Sequence, residues 1–321
     1  MAKSTKVLLL LGTALILIGV ILYLGVMNML GWDFGKLSTI QYETNTYEIS
    51  EQVLDIDIRT NTADITLVAT QEQEVKVVCY EQQKSKHNVS AEDGKLRIEL
   101  HDQRKWYEKI GINFKTSSIT VYLPQGQLGM LEIRATTGDV KIDRNISFAE
   151  MDVSLNTGDV TNHASVTGAL KIEATTGDIF VKELSASACS LSTNTGNIEV
   201  ADVQCSGEVK IHVSTGDVSV KNVTCGQFVS AGTTGDVHMV NVISSMGMDL
   251  ERSTGDIVLD RCDGQTLKIR VTTGDVRGSL LSNKIFAVKT GTGKIDVPSV
   301  HDGGLCEITT STGNITFTIA Q

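Results

Sequence analysis

Apolar and polar positions alternate through most of this chain, and its first stretch is the clear departure. Residues 7–31 form an apolar run with Thr13, Tyr23 and Asn28 as its notable polar breaks. Twenty-five residues rising about 1.5 Å each cross a hydrocarbon core of about 30 Å with some tilt. A cleaved signal peptide has a shorter apolar core, about 7–15 residues, and a small-residue site after it. No alanine occurs between Ala14 and Ala63, so the run reads as an uncleaved signal anchor with Trp32 at its interfacial exit. Lys3 and Lys6 hold a short stub, residues 1–6, in the cytoplasm and place everything after Gly31 outside the cell membrane.

Beyond a linker at 32–54 the alternation has period two, the mark of strands with one buried face. In the C-terminal two-thirds it is organised by a tetrapeptide, Thr-Gly-Asp-Val or a close variant. Its glycines are Gly138, Gly158, Gly177, Gly196, Gly216, Gly235, Gly255, Gly274, Gly293 and Gly313, spaced by 19 or 20 residues and each preceded by threonine. Around Gly177 the inward set is Leu170, Ile172 and Ala174, then Ile179, Val181 and Leu184. Around Gly216 it is Val209, Ile211 and Val213, then Val218, Val220 and Val223. The glycine permits positive φ at the turn, and the flanking Thr and Asp bond nearby backbone.

One copy cannot fold alone. Six buried aliphatic side chains contribute about 1.5–3 kcal/mol each. Ordering about 20 residues costs about 1–2 kcal/mol apiece. Stability therefore requires stacking, with shared ladders. A repeat length locked to 19 or 20 selects a coil over a hairpin meander, because stacking about 4.8 Å apart punishes length drift. A propeller blade needs about 40 residues. The expected fold is all-β: a right-handed β-solenoid of about ten coils over 131–321, preceded by an irregular β cap at 55–130. Within the cap, Ile56, Ile58, Thr60, Thr62, Ala63, Asp64, Ile65 and Leu67 read as a degenerate first coil with Ala63 in the glycine slot. The far end, after Ile315 and Phe317, is expected to be an uncapped edge that invites a partner or a second copy.

An anchor followed by Thr-Thr-Gly-Asp-Val and Ser-Thr-Gly-Asp-Ile coils resembles the bacterial putative-adhesin family of β-strand-repeat envelope proteins. The resemblance runs from about Ile56 to the C-terminus and includes the stretch from Ile119 to Pro124. It implies a surface-exposed β-solenoid without known catalysis.

Charge narrows the partners. The formal net charge is −10, and residues 31–321 carry −12. Nucleic acid is a poor partner for such a body, since phosphate binding needs clustered Lys and Arg. The expected partners are a cell-envelope polymer or surface glycan, or a membrane protein engaged through residues 7–31. Gly12, Gly19 and Gly25 could line such a helix contact.

Chemistry offers few candidates. The residue after each turn glycine forms a column: Asp139, Asp159, Asp178, Asn197, Asp217, Asp236, Asp256, Asp275, Lys294 and Asn314. A cation ladder would relieve the repulsion of stacked carboxylates, about 1 kcal/mol per pair in water. The pattern lacks the nine-residue repeat of calcium-binding β-rolls, so the Asp reads as a turn acceptor, and no metal or cofactor is expected. Gly291-Thr-Gly-Lys294 is a repeat copy and not a phosphate loop, because Ile295 follows the lysine. The six histidines share no repeat position and no serine sits in a nucleophile elbow, so the chain reads as a non-enzymatic, membrane-anchored binding or scaffold protein of the cell envelope, with a sensor or accessory subunit of a membrane-protein complex and a carbohydrate-active enzyme on a β-helix as the alternatives.

Arg252 falls at an inward position opposite Gly232, with its head expected to escape near the turn. Cys189, Cys262 and Cys306 read as core hydrophobes, while Cys205 and Cys225 stack on adjacent coils at a distance that permits a disulfide. The least repeat-like stretch, 101–115, gathers Arg104, Lys105, Trp106, Tyr107 and Lys109 with Phe114 and Lys115. Aromatic and basic side chains together suit glycan stacking, anionic wall polymer or lipid headgroups, and this is the expected binding site. Its alternative role is to cover the solenoid's open end.

Overall fold

The computed structural model describes residues 3–32, 40–106 and 115–320. One helix, α1 (Lys3–Met29), carries the apolar run and is long and apolar enough to cross a membrane. The rest of the described chain is dominated by strands wound into a β-solenoid of about ten turns. The alternation fixes its interior: Leu170, Ile172, Ala174, Ile179, Val181 and Leu184 of the Gly177 coil are all buried. Coils stack parallel and in register. Ile172 sits between Val153 and Leu191, and Ile179 between Val160 and Ile198.

Two corners shape each coil. At the first, the turn glycines have φ of 126–152°, and a Cβ on Gly216 would lie 2.0 Å from the Gly196 carbonyl oxygen. Both the backbone angle and the close approach therefore demand glycine. The next residue ties neighbouring coils together. The amide of Asp159 donates to Asp139 Oδ1 (3.0 Å), that of Asp178 to Asp159 Oδ1 (2.8 Å), and that of Asn197 to Asp178 Oδ1 (2.7 Å). This ladder continues through Asn197, Asp217, Asp236 and Asp256 to the Asp275 amide, and Asp64 begins it below Asp139. The second corner recurs six residues after the glycine, where Glu183, Asp202, Asn222, Asn241 and Arg261 have φ of 53–56°. Asn241 and Asn222 form a side-chain ladder there, each amide donating to the residue one coil below.

Nine strands lead into the regular array: β1 (Tyr42–Ile49), β2 (Asp55–Thr62), β3 (Asp64–Thr70), β4 (Val75–Gln82), β5 (Ser85–Glu92), β6 (Lys95–Asp102), β7 (Ser118–Pro124), β8 (Gly126–Thr137) and β9 (Val140–Ile142). The degenerate coil β2–β3 is second in the stack. It pairs with β8 and β9 on one side and with β6 and β7 on the other. Antiparallel pairings of β1 with β4, of β4 with β7 and of β5 with β6 build this end, with β1 and β5 as its edges.

The opposite end also departs from sequence order. Strand Gly304–Thr312 lies between Ile257–Thr273 and Lys284–Thr292, and strand Ile315–Ile319 lies between Val276–Leu280 and Ile295–Asp296. The last coil in the chain is thus inserted one place inward. The expected edge at Ile315 and Phe317 is corrected, since both are buried and the outer edge belongs to Lys284–Thr292. The exchange is possible because every coil presents the same ladder and turn column, so any coil can stack on any other. It also explains Lys294. The Asn314 amide donates to Asp275 Oδ1 (2.7 Å) and the Lys294 amide to Asn314 Oδ1 (2.9 Å). Lys294 ends the column, with no amide above it to accept.

Arg252 faces Gly232 in the stack, as its position requires, but its head does not reach solvent. The residue is 2% exposed. Nη1 donates to the Glu251 carbonyl (3.0 Å), Nη2 donates to Ser230 Oγ (3.2 Å), and Nε has no partner. The missing side chain of Gly232 makes room for the fork, and burial pushes the Arg252 pKa down to about 10. A buried cation without a paired carboxylate weakens the core. Arg252→Leu is therefore expected to raise stability by about 1–3 kcal/mol, measured as a higher thermal midpoint. All six cysteines are buried and free, Cys205 and Cys225 included. Cys205 Sγ points instead to the carbonyls of Ser187 (3.6 Å) and Glu208 (3.4 Å).

Candidate functional site

The aspartate column, the first candidate from sequence, has one carboxylate oxygen per copy committed to the next coil's amide. It is a turn acceptor that locks coils together, and Asn197 and Asn314 serve equally well because the job needs an oxygen and no charge.

The excursion at 101–115 is only partly placed; Tyr107, Lys109 and Phe114 lie outside the described residues. Arg104 is turned back onto the cap. Its guanidinium pairs with Asp102 (Nε to Oδ1, 2.8 Å; Nη2 to Oδ2, 2.8 Å) and donates to Gln82 Oε1 (2.8 Å). Trp106 is 75% exposed. Lys115 lies 5.9 Å from the centroid of the Tyr42 ring, which itself stacks on Tyr80. Tyr42 donates its hydroxyl to the Lys115 carbonyl (2.8 Å). Arg104 and Lys115 are thereby attached to the cap strands β1, β4 and β6.

Inside the cap lies a polar cluster that the sequence reading passed over. Strand β4 points Val75, Val77, Cys79 and Glu81 inward, and β5 points His87 to meet them. Glu81 Oε2 accepts from the His87 amide (2.6 Å) and lies 2.7 Å from His87 Nδ1, while Asn45 Nδ2 donates to Glu81 Oε1 (2.7 Å). His87 Nε2 is 2.9 Å from Thr60 Oγ1. Burial pushes the Glu81 carboxyl up, but the hydrogen bonds from His87 and Asn45 outweigh it and leave the pKa below the ordinary value. The order hydroxyl, imidazole, carboxylate is that of an activated nucleophile. Thr60, His87 and Glu81 are nevertheless at most 5% exposed, so no substrate reaches the hydroxyl. The available signal was the inward stripe of β4, which continues onto a carboxylate.

The third region is the outer coil. Nine large apolar side chains are exposed among the described residues beyond position 40, and six of them, Ile243, Met246, Leu281, Ile285, Ile295 and Leu305, lie in the last coils. Phe286, Val288 and Val297 pack against the core but are only half-buried. Beside them is a groove of about 470 Å³ whose lining includes Ile243, Asp263, Gln265, Asn283 and Lys284. Lys284 is itself buried, donating to Asp263 Oδ1 (2.6 Å) and to the Ser282 hydroxyl. Burial raises the Asp263 carboxyl, and the bonds from Lys284 and Ser282 bring it below its usual value. A carboxylate with a lowered folded pKa stabilises above its unfolded pKa, and that contribution is lost as pH falls through the folded one. Amide protection in Lys284–Thr292 should therefore fall selectively in acid, and Asp263→Asn should remove that dependence, as hydrogen exchange would report.

A family model described as Toastrack DUF4097 matches residues 53–213 and again 207–321. No curated protein matches the chain. Among solved structures the chain is similar to a "putative adhesin" from Parabacteroides distasonis, with a TM-score of 0.49, 13% identity, and coverage of 88% of this chain and 98% of that one. A "putative adhesin" from Bacteroides fragilis gives 0.43, 14%, 87% and 97%. A "putative lipid binding protein" from Parabacteroides distasonis gives 0.42, 15%, 88% and 98%.

Proposed function

The chain belongs to the Toastrack DUF4097 family, and on that premise we propose that it is a non-enzymatic binding or scaffold protein of the bacterial cell envelope. In this reading α1 is a single-pass anchor, the N-terminal stub is cytoplasmic, and the solenoid projects outside as an adhesin-like rod. The observation that carries the reading is the asymmetry of the two ends. Both ends leave strand edges, but the exposed positions on the cap edges β1 and β5 are polar (Thr44, Thr46, Glu48, Lys86 and Asn88), whereas the outer coil exposes Ile285 and Ile295. Exposed apolar surface next to an unpaired strand suits contact with a partner.

The contact partner is an envelope polymer, a surface glycan or the outer coil of a second copy. In this reading Lys105, Trp106, Tyr107 and Lys109 offer a second contact, and Arg104, paired with Asp102 and Gln82, ties their segment to the cap. The test is co-sedimentation of full-length chain in nanodiscs with isolated cell envelopes. Ile285→Lys with Ile295→Lys should reduce saturable binding at least tenfold, and Trp106→Ala should reduce it less. Binding that is absent in the parent chain would remove the adhesin-like reading. An accessory subunit of a membrane-protein complex would then be favoured, reached by crosslinks from residues 7–31.

A further inference from the structure

The cap interior carries a site of a different kind. The Cys79 thiol, the Glu81 carboxylate and the His87 ring each offer one donor atom, and the three atoms lie within 4.8 Å of one another. Backbone geometry brings them together. Cys79 and Glu81 are two residues apart on the inward face of β4, and the tight turn at 83–84 returns β5 antiparallel, with Gln82 paired to Ser85, so that His87 folds over them. At equivalent depth in the regular coils the inward positions hold mainly Val, Ile and Leu. A carboxylate, an imidazole and a thiol converging in such a core are costly to bury, and their chemistry is that of a metal-ligand set.

We propose that Cys79, Glu81 and His87 bind one zinc ion. Three features support zinc over other ions. Thiolate with imidazole selects a borderline-soft cation and disfavours calcium or magnesium. One thiolate and one carboxylate cancel the charge of a divalent ion, so the loaded site is neutral, as a low-dielectric interior requires. The outer partners that orient zinc ligands are already in place. Without the ion His87 Nδ1 donates to Glu81 Oε2 (2.7 Å); binding displaces that proton, and Nε2 is positioned to donate to Thr60 Oγ1 (2.9 Å) in the tautomer that gives Nδ1 to the ion. Asn45 holds the far oxygen of Glu81 at 2.7 Å and is itself fixed by Glu43 (2.9 Å). Three protein ligands leave the fourth tetrahedral position to water.

Burial and the neighbouring Glu81 charge push the Cys79 thiol up to about 12, so binding displaces the thiol proton to solvent. Because the ligands are sealed, the ion enters while the cap is folding. The site would then act as a clasp joining β4 to β5 at the cap end of the rod, a role independent of what the outer coil binds.

The experiment uses full-length chain in detergent, produced with either zinc or cobalt(II) in the medium. The expected results are one zinc per chain by elemental analysis, and a thiolate-to-cobalt charge-transfer band in the near ultraviolet for the cobalt form. Cys79→Ser should abolish the band and Cys189→Ser, another buried thiol, should keep it. Glu81→Gln, which preserves the shape of the network, should lower metal content at least tenfold while the chain still folds. A well-folded parent chain with neither zinc nor the band overturns the proposal, as does a band that survives in Cys79→Ser.

Discussion

Gly216→Ala should disrupt the middle of the rod, while Asp217→Asn beside it should leave the thermal midpoint almost unchanged. The glycine has φ of 138°, and a Cβ there would meet the Gly196 carbonyl oxygen at 2.0 Å. Backbone strain of this kind costs about 1–3 kcal/mol. The clash adds to it, because the opposing atom is a carbonyl in the next ladder and cannot yield without breaking the stack. A loss above about 4 kcal/mol is expected. Each coil contacts chiefly its neighbours, so the damage should divide the array and appear as two melting steps in place of one. Asp217 accepts from the Asp236 amide through Oδ1, and asparagine supplies the same oxygen, as Asn197 already does one coil below. Asp217→Ala removes the acceptor and should cost about 1 kcal/mol.

The second large effect concerns the exchanged coil. Deleting 303–321 should destabilise the rod far more than deleting 284–303, although the second deletion is internal. The terminal segment supplies the inserted strands, with Cys306, Ile308, Ile315 and Phe317 buried against neighbours on both sides. Four such side chains represent about 6–12 kcal/mol of burial as an upper value. Their loss also strips strand Lys284–Thr292 of the neighbour it pairs with. The internal deletion removes only the outer coil. It joins Asn283 to Gly304, and the two stretches already stack, since a Cβ on Gly303 would lie 2.0 Å from the Asn283 carbonyl oxygen. A rod stacked in sequence order would give the reverse ranking. Urea titration of the two deletions would measure it.

The repeat was legible because its constraints are chemical and local. A glycine at every first corner, an inward aliphatic stripe and an acceptor after each turn can be read without any coordinates. The order of coils could not be read in that way, because a ladder that repeats identically contains no information about which copy follows which. Its single trace was Lys294, the column residue that accepts nothing. The second corner was hidden for another reason. Glu183, Asp202, Asn222, Asn241 and Arg261 share a backbone angle and no side-chain type, and only the adjacent asparagines hinted at it. In the cap, Cys79, Glu81 and His87 come from two strands whose pairing is set by a turn at 83–84, so their convergence is a tertiary fact. Arg252 was placed correctly opposite Gly232, but the depth of its burial depended on how much space that glycine leaves.

The outer edge at Lys284–Thr292 underlies the functional reading, so the coil order is the point to test first. The threonine column before the turn glycines is exposed, and Thr273 pairs with Thr312, which pairs with Thr292. Paired cysteines introduced there, on a chain whose native thiols are all buried, report neighbours directly, because a disulfide needs Cα atoms about 4.4–6.8 Å apart. Oxidation should crosslink Thr273→Cys with Thr312→Cys, and Thr292→Cys with Thr312→Cys, and should leave the pair Thr273→Cys and Thr292→Cys unbridged. Efficient bridging of 273 to 292 would contradict the inserted coil and return the edge to the C-terminal strand.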